Sequence, residues 1–381
     1  MVGKDRKAAE VFPPGEFIRD ELEARGWTQT ELAEILGRPV RLVNEIIAGK
    51  RGISSETAKG LADAFGTSAQ FWMNLDSAYQ LSRTRDPDGS VSKRSRLYSK
   101  APMRELIRRR WIEPSDNVDV LEKRLCDFFE IEDLNDDPVF LKHAARKSTS
   151  YDSTTSAQKA WLFHARRLAH TIPVRNAFSL ERLREGIENL RLLLKSPDLI
   201  RQVPHILADA GVRLLVVEAL PNTRIDGACF WLDSESPVIV LSLRFDRIDY
   251  FWHTLMHELG HVMRRDGIDD LSLDTDLVGG PVQSQDEKPE SEKEADRFAV
   301  ETLVPQESLE DFITRTRPFY SKLKIKTFAQ QVGVHPGIVV GQLHHRGEFS
   351  YSNNREMLVK VRHIITSSAT TDGWGQVLRV A

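Results

Sequence analysis

Residues 250–261 read YFWHTLMHELGH, and this stretch predicts a buried helix that carries a metal site. The largely apolar residues 250–256 would bury one face of the helix against a core. His257 and His261 are four residues apart, about one helical turn, so both imidazoles can reach a single cation. Glu258 then lies beside the ion, where it can deprotonate a water and protonate the leaving amine of a peptide bond. The HExxH pattern therefore predicts a metal-dependent hydrolase.

A catalytic zinc site needs a third protein ligand and an open position for water. Residues 292–303 show helical spacing that ends before Pro305, so Glu292 and Asp296 share one helix face. We predict that Glu292 is the third ligand and that Asp296 accepts a hydrogen bond that orients a ligand imidazole. Glu294 is the lower-ranked ligand, because it points about 200° round the helix from Glu292. A solvated acidic first turn is the alternative explanation of these carboxylates.

The two motifs together resemble the ImmA/IrrE metallopeptidases, in which an HELGH helix precedes an E-x-E-A-(N/D)-x-F-A-x-x-L-hydrophobic-P segment. Residues 292–305 read EKEADRFAVETLVP and match that segment. The resemblance covers about residues 203–305 and implies a small α+β domain similar to thermolysin-type zincins. The chain departs from the family at Arg264 and Arg265, where many relatives have apolar residues and another His.

The resemblance also implies the chemistry of the site. It implies Zn²⁺ on His257, His261 and Glu292, with Glu258 as the general base, and Mn²⁺ is the alternative ion for the same ligands. Members of the family make site-limited cuts in a regulatory protein, typically a repressor, in response to stress, phage or mobile elements. We therefore expect a protein substrate of that kind.

Three short runs rich in β-branched and aromatic residues precede the histidine motif, at 212–218, 227–232 and 237–243. Turn-forming residues separate them, so we predict a three-stranded antiparallel meander. Residues 227–232 are our candidate for an edge strand that binds an extended substrate by strand addition. The alternative is that all three strands only cover the core.

The N-terminal residues 12–81 contain five short helical segments separated by glycine and proline turns. This arrangement predicts a helix-turn-helix fold, whose second helix would enter the major groove of DNA. Residues 13–81 resemble HigA-type antitoxins of the lambda-repressor-like family, most clearly at 44–53, NEIIAGKRGI, and at 64–75, AFGTSAQFWMNL.

By position in that resemblance, six residues are candidates for contact with DNA phosphates or bases: Gln29, Arg38, Arg41, Asn44, Lys50 and Arg51. Pro39, Val40 and Leu42 stand where the recognition helix usually carries small polar residues. Residues 1–80 also contain ten Lys and Arg against twelve Asp and Glu, whereas a strong nonspecific DNA binder is usually basic. Operator binding is the prediction, and a protein-docking surface is the alternative.

The remaining segments complete a multidomain, mainly α-helical organisation. We predict a helix-turn-helix domain at 12–81, an exposed linker at 82–103, a helical middle region at 104–200, a small α+β zincin-like domain with a three-stranded sheet at 203–305, and a helical C-terminal region with a helix-turn-helix-like pair at 306–381. Cleavage of the linker by the chain itself would release the N-terminal domain. We expect three later histidines to cap helices or face solvent rather than bind metal: His335, His344 and His345.

Composition fits a cytoplasmic regulator. The chain has 381 residues, a net charge of −3, 40% hydrophobic residues and two cysteines, so we expect several domains with real cores and no disulfide framework. No apolar run has membrane-spanning length, and the N-terminus lacks a secretory segment. The expected partners are a protein substrate, operator DNA, a toxin, and a second copy of the chain matching the symmetry of an operator. The alternative to a peptidase is a nonenzymatic, antitoxin-like regulator whose zinc domain senses a ligand or binds a partner.

Overall fold

The computed structural model describes residues 11–85, 89–140, 154–174, 176–266, 268, 272–275, 277 and 289–372. The chain divides into two compact units, Met1–Val91 and Ser92–Ala381. Both consist mainly of helices, and the second also contains a small sheet, which confirms the predicted fold class. None of the described helices combines the length and the apolar composition needed to cross a membrane.

The first unit contains the five predicted helices: α1 Pro14–Arg25, α2 Gln29–Ile35, α3 Val40–Ile47, α4 Ser55–Phe65 and α5 Ala69–Arg83. Thr28 caps α2 in a capping box with Glu31, as its sequence pattern predicts. Gly26 ends α1 in a left-handed conformation, which allows a sharp turn into α2. The helices enclose one apolar core that includes Ile18 and Trp72.

The helices of the second unit are α6 Ser90–Lys100, α7 Met103–Arg108, α8 Val118–Phe129, α9 Ser156–Thr171, α10 Leu180–Leu193, α11 Val203–Asp209, α12 Ile248–Arg264, α13 Glu290–Leu303, α14 Gln306–Thr316, α15 Lys322–Val332, α16 Pro336–His345 and α17 Arg362–Ile365. Short 3₁₀ turns lie at Pro197–Gln202 and Arg355–Met357.

The prediction of an exposed linker over residues 82–103 is wrong at its C-terminal end. Most of that end is helix α6, and Leu97 is buried in a core shared with helices α8 and α9. Ala101 and Met103 are buried in the same core. The many Arg, Lys and Ser residues of this stretch lie on the outer face of the helix. Their abundance predicts an exposed linker, although one narrow face of the helix is apolar and buried.

The sheet has five strands in the order β4-β2-β3-β1-β5. They are β1 Arg213–Val216, β2 Ile225–Trp231, β3 Pro237–Leu241, β4 Ser272–Thr275 and β5 Thr370–Thr371. Strand β2 pairs antiparallel with β3 and β4, whereas β1 pairs parallel with β3 and β5.

Two parts of the predicted meander are therefore wrong. Strand β1 runs parallel to β3 rather than antiparallel within a three-stranded meander, and the candidate edge strand β2 lies between two others. The alternation of apolar residues identifies a strand but not its neighbours, because strand order depends on the path of the connections. Strands β4 and β5 are also too short for a clear signal.

Both faces of the sheet are covered by helices. On one face, Leu214, Cys229 and Ile239 pack in the core that contains α12. On the other face, the neighbouring residues Leu215, Ala228 and Val240 pack in the core formed with α8 and α9. The predicted middle region at 104–200 consequently shares its cores with the sheet, because its helices cover a face that would otherwise be exposed.

Candidate metal centre

Helix α12 brings the two motif histidines together in the interior of the second unit. Every residue of the helix from Ile248 to Val262 is buried except His253. The Nε2 atoms of His257 and His261 lie 3.2 Å apart, as expected for side chains one turn apart that face one point. The apolar stretch before the motif is thus what anchors the two imidazoles.

Glu292 approaches the same point from helix α13. Its Oε2 lies 3.2 Å from Nε2 of His257, and its Oε1 lies 3.6 Å from Nε2 of His261. The two helices pack closely at Gly260, where an added Cβ would lie 3.2 Å from the Cα of Ala295. The small residues of the two motifs therefore set the helix separation that brings this carboxylate to the histidines.

Asp274 on strand β4 is a fourth member of the cluster, and the sequence interpretation missed it. Its Oδ1 lies 3.5 Å from Nε2 of His257, its Oδ2 lies 3.9 Å from Nε2 of His261, and the residue is 5% exposed. The available signal was weak: residues 271–275 read LSLDT, an alternation typical of a short strand.

Two further carboxylates hold the outward nitrogens of the imidazoles. Oδ1 of Asp296 lies 2.9 Å from Nδ1 of His257, which is the position predicted for an orienting acceptor. Oδ2 of Asp266 lies 3.0 Å from Nδ1 of His261, a contact that the sequence interpretation did not anticipate.

Arg264, where the chain departs from its relatives, donates to Asp266 over 2.9 Å and pairs with Glu294 over 2.9 Å. Glu294 therefore points to Arg264 rather than to the histidines, as its lower rank as a ligand implied. Arg264 helps to hold Asp266 against His261.

Glu258 lies against Gly227 of β2. A Cβ at position 227 would overlap Oε1 of Glu258, so only glycine leaves room for this carboxylate. Glu258 is completely buried, and neither of its oxygens has a hydrogen-bond partner among the described residues. Burial and the negative charge of Asp274 raise the pKa of Glu258 well above its usual range.

The distances among these side chains fit one divalent ion. Ligand atoms at zinc-to-ligand distances form a tetrahedron with edges of about 3.3–3.4 Å. One ligand atom from each of His257, His261, Glu292 and Asp274 lies within 4.8 Å of the other three, so the four residues surround a space of about this size. Oδ2 of Asp274, like the oxygens of Glu258, has no hydrogen-bond partner among the described residues. A cation would satisfy these buried oxygens.

The electrostatics of the cluster also favour positive charge. Burial disfavours charged imidazoles, but the surrounding carboxylates outweigh it: they raise the pKa of His257 well above its usual range and that of His261 to about 9. For His261 the carboxylates responsible include Asp266 and Glu292. A divalent ion would replace these protons.

Of the three later histidines, His335 caps a helix and His345 is exposed, as expected, whereas the expectation is wrong for His344, which is buried. His335 caps helix α16 by accepting a hydrogen bond from the backbone N–H of Gly337 at 3.0 Å. His344 is buried, with Nε2 2.9 Å from the carbonyl oxygen of Asn353, and His345 lines a cavity beside Asp249. None of the three belongs to the cluster of possible metal ligands found among the described residues.

The predicted DNA contacts lie on and around α2 and α3 of the first unit. Gln29 is the first residue of α2, and Arg41 and Asn44 are exposed on α3. Lys50 and Arg51 are exposed after that helix, and Arg38 is half-buried in the turn before it.

Acidic side chains engage three of these cations. Arg41 pairs with Glu45 at 2.8 Å, Arg51 pairs with the same carboxylate at 3.3 Å, and Arg38 pairs with Glu56. The acidic balance noted in the sequence is therefore present at the predicted interface itself.

Two family models match the chain. A helix-turn-helix model matches residues 18–72, and a peptidase model described as the IrrE N-terminal-like domain matches residues 209–344. The first therefore falls within the first compact unit, and the second covers strands β1 to β4 and the helices that carry the cluster.

Individual relatives match a smaller part of the chain. Virulence-associated protein I of Dichelobacter nodosus is 36% identical over 80 residues, which are 21% of this chain and 74% of that protein. An addiction-module antidote protein of the HigA family from Coxiella burnetii is 38% identical, with 18% of this chain and 77% of that chain covered and a TM-score of 0.18. Antitoxin HigA of Pseudomonas aeruginosa, solved with the higBA promoter, is 43% identical, with 19% and 80% covered and a TM-score of 0.19.

The relationship to virulence-associated protein I rests on 36% identity with 74% of that protein covered, whereas the second unit is assigned from the peptidase model alone. The chain is thus a relative of virulence-associated protein I that combines a helix-turn-helix domain with a domain matched by the IrrE N-terminal-like peptidase model.

Proposed function

We propose that this chain is a cytoplasmic DNA-binding regulator whose second unit is a zinc metalloendopeptidase. The observation that carries the proposal is the position of Glu258, a buried carboxylate without a hydrogen-bond partner among the described residues, next to His257 and His261. A site that only stabilises the fold has no use for an unpaired carboxylate beside its ligands, because burying that charge is costly. A hydrolase needs a base at this position.

His257, His261 and Glu292 would hold the ion, with Asp296 and Asp266 fixing the two imidazole orientations through their Nδ1 atoms. When bound, Zn²⁺ would lower the pKa of a water molecule and polarise the peptide carbonyl. Glu258 would accept the proton of that water and deliver it to the leaving amine.

The first unit would bring the enzyme to DNA. Gln29, Arg41 and Asn44 are exposed on the helix pair that docks on DNA in helix-turn-helix proteins, and Lys50 and Arg51 lie beside it for phosphate contact. We propose operator binding as a dimer, with a repressor-type protein as substrate, in a response to stress or phage or in a toxin–antitoxin setting.

One observation favours a second candidate function. Asp274 lies within ligand distance of the histidines, where a catalytic site would keep a position open for water. A site with four protein ligands is typical of structural zinc. On that basis the alternative is a nonenzymatic regulator whose metal site holds the sheet and α13 together and binds a partner or ligand.

The test compares new protein N-termini across the proteome of the native host that expresses the wild type or Glu258→Gln, before and after DNA damage or phage challenge. Glu185→Gln is the matched control, because Glu185 is an exposed carboxylate on α10. We expect termini that appear with the wild type and the control but not with Glu258→Gln. Identical termini in all three strains under every challenge would refute the peptidase and leave the binding regulator.

A further inference from the structure

Strand β4 occupies the edge of the sheet beside the metal cluster. It pairs antiparallel with β2, with Thr275 opposite Ile225, Asp274 opposite Gly227 and Leu273 opposite Ala228. Without β4, the strand β2 would be the edge. Addition of an extended segment to a sheet edge is one of the ways in which proteins bind peptides. A substrate strand would therefore compete with β4 for the same backbone groups of β2.

The register of this pairing places β4 over the proposed base. Asp274 lies opposite Gly227, and Gly227 is the residue against which the carboxylate of Glu258 packs. The side chain of Asp274 reaches past this point to the histidines, with its Oδ1 3.5 Å from Nε2 of His257. The strand thus crosses the site at the place where a bond to be cut would have to lie.

The same side chain completes the ligand set. His257, His261 and Glu292 would supply three ligands of an ion, and Asp274 would supply a fourth. A reacting water or peptide carbonyl needs that fourth position. Strand β4 consequently occupies both the edge of β2 where a substrate strand would pair and the ligand position that the reaction needs.

The contacts of β4 allow it to leave. The strand has only four residues, and its pairing with β2 contains an irregularity between Ile225 and Gly227. Leu273 is half-buried and Thr275 is exposed, so little apolar surface holds the strand. Among the described residues, the other contacts of this segment include the approach of the Asp274 carboxylate to the histidines and a hydrogen bond from the backbone N–H of Leu277 to Asp226. As a ligand of the ion, the carboxylate of Asp274 could be exchanged for another ligand.

We propose that β4 is a built-in pseudosubstrate that keeps the peptidase latent, with Asp274 as an exchangeable fourth ligand. The inference rests on the proposed peptidase function. An extended segment of the substrate protein displaces β4 from β2, and the loss of Asp274 from the site opens the position that the reaction needs. If the closed form makes up 99% of the molecules, small ligands of the ion bind the wild type about 100-fold more weakly than an open variant.

The test uses the full-length protein loaded with Co²⁺, whose visible spectrum reports the number and type of ligands. Acetohydroxamate, a small bidentate ligand, is titrated into the wild type, Asp274→Ala and Asp274→Asn. Thr275→Ala is the matched control, because it alters the adjacent exposed side chain and leaves the backbone pairing intact. Hydrogen exchange of the backbone amides of β2 is followed in the same samples.

We expect both Asp274 variants to bind acetohydroxamate at least about 10-fold more tightly than the wild type and the control. Amides of β2 that pair with β4 should exchange faster in the variants or when the ligand is bound. Equal affinities and equal spectra in all four proteins would overturn the proposal, because Asp274 would then not be a ligand.

A search for new protein N-termini in cells distinguishes failure of the proposal about Asp274 from failure of the proposed peptidase function. Asp274→Ala is expected to generate the Glu258-dependent N-termini in cells without any challenge. If Co²⁺ spectra and ligand affinities change as expected but no variant produces new termini, Asp274 closes a site that is not a peptidase, and the pseudosubstrate is overturned together with the proposed function.

Discussion

The metal cluster of the second unit and the predicted DNA surface of the first differ in how their side chains are held. His257, His261 and Glu258 are buried, and their positions follow from the packing of α12 against the sheet and α13. Arg41 and Asn44 are exposed, and the partner of Arg41 is an acid on its own helix. The contacts that specify the fold therefore also fix the side chains of a buried site, whereas the side chains of an exposed site are fixed only when a partner binds.

The largest expected effect is on proteolysis and tests whether the buried site works independently of the exposed one. In purified, zinc-loaded protein, Glu258→Gln should lower the cleavage rate of an identified substrate by about 10²–10⁴-fold, because the proton acceptor is lost. Zinc stoichiometry and DNA affinity should stay unchanged, measured by elemental analysis and by titration of operator DNA. A rate within a factor of two of the wild type would show that Glu258 is not the base.

The second effect concerns the exposed surface. Asn44→Ala should weaken specific operator binding by about 1–3 kcal/mol, or roughly 5–150-fold, because the recognition helix would lose a base-edge contact. Fluorescence anisotropy at fixed salt, with specific and unrelated duplexes, measures the change. Gln70→Ala is the control, since Gln70 is exposed on α5 of the same unit. Equal losses in both variants would argue against α3 as the reading helix.

The third effect tests whether a carboxylate next to a ligand imidazole strengthens metal binding. Asp296→Asn removes the negative charge next to Nδ1 of His257 and should weaken Zn²⁺ binding about 10–100-fold. Competition with a chromogenic chelator gives the affinity. Glu301→Gln, an exposed change on the same helix, should leave it unaltered. An unchanged affinity for Asp296→Asn would mean that packing alone orients the imidazole.

Acid should act unequally on the two units, because residues 1–91 contain no histidine. Burial lowers the pKa of His164 from 6.5 to about 3, and its ring stacks on Trp111 with centroids 3.8 Å apart. Since the folded pKa is depressed, the contribution of His164 to stability is complete above pH 6.5 and is lost as pH falls towards 3. The slope reaches about 1.4 kcal/mol per pH unit in this range.

The variant His164→Phe keeps an aromatic ring on Trp111 and removes the titrating group. We expect urea unfolding of the second unit, compared between neutral pH and about pH 5, to show a smaller loss of stability in the variant than in the wild type. Parallel losses in the two proteins would assign the acid sensitivity to other groups.

The smallest expected effect is a gain in affinity for DNA. Glu45→Gln releases Arg41 and Arg51 from their shared carboxylate. Solvent screens these two exposed ion pairs, so releasing the arginines should raise DNA affinity only several-fold, by roughly tenfold at most. The dependence of affinity on salt should become steeper, because more cations reach phosphates. A loss of affinity would indicate that Glu45 positions the two arginines on DNA.

The sequence interpretation was most successful where a helix carries the pattern. Spacing alone placed His257 and His261 on one face, and it placed Glu292 and Asp296 on another helix at positions that the structure brings to the histidines. The five helices predicted for the first unit are all present. Helical spacing is informative because the period is local, so residues four apart are neighbours whatever the rest of the chain does.

Helical spacing could not predict which distant segments of the chain come together. Asp274 lies on a four-residue strand, and nothing in its neighbourhood indicates that it faces the histidines. Asp266 reaches His261 because helix α12 ends at Arg265 in a left-handed conformation and turns the chain back on itself. The parallel pairing of β1 with β3 likewise depends on connections that carry no periodic signal.

The sequence alone was enough to predict the helix-turn-helix and peptidase-like domains and the helix faces that carry the proposed ligands and base, because each prediction follows from side chains at fixed spacing on a single element. The tertiary structure was needed to show that helices from the middle region cover one face of the sheet, that β2 is internal, and that a second carboxylate, that of Asp274, joins the cluster of possible metal ligands. The physical reason is the range of the interactions. Helical geometry acts within a few residues, whereas strand order and ligand completion depend on segments that meet only when the whole core is packed.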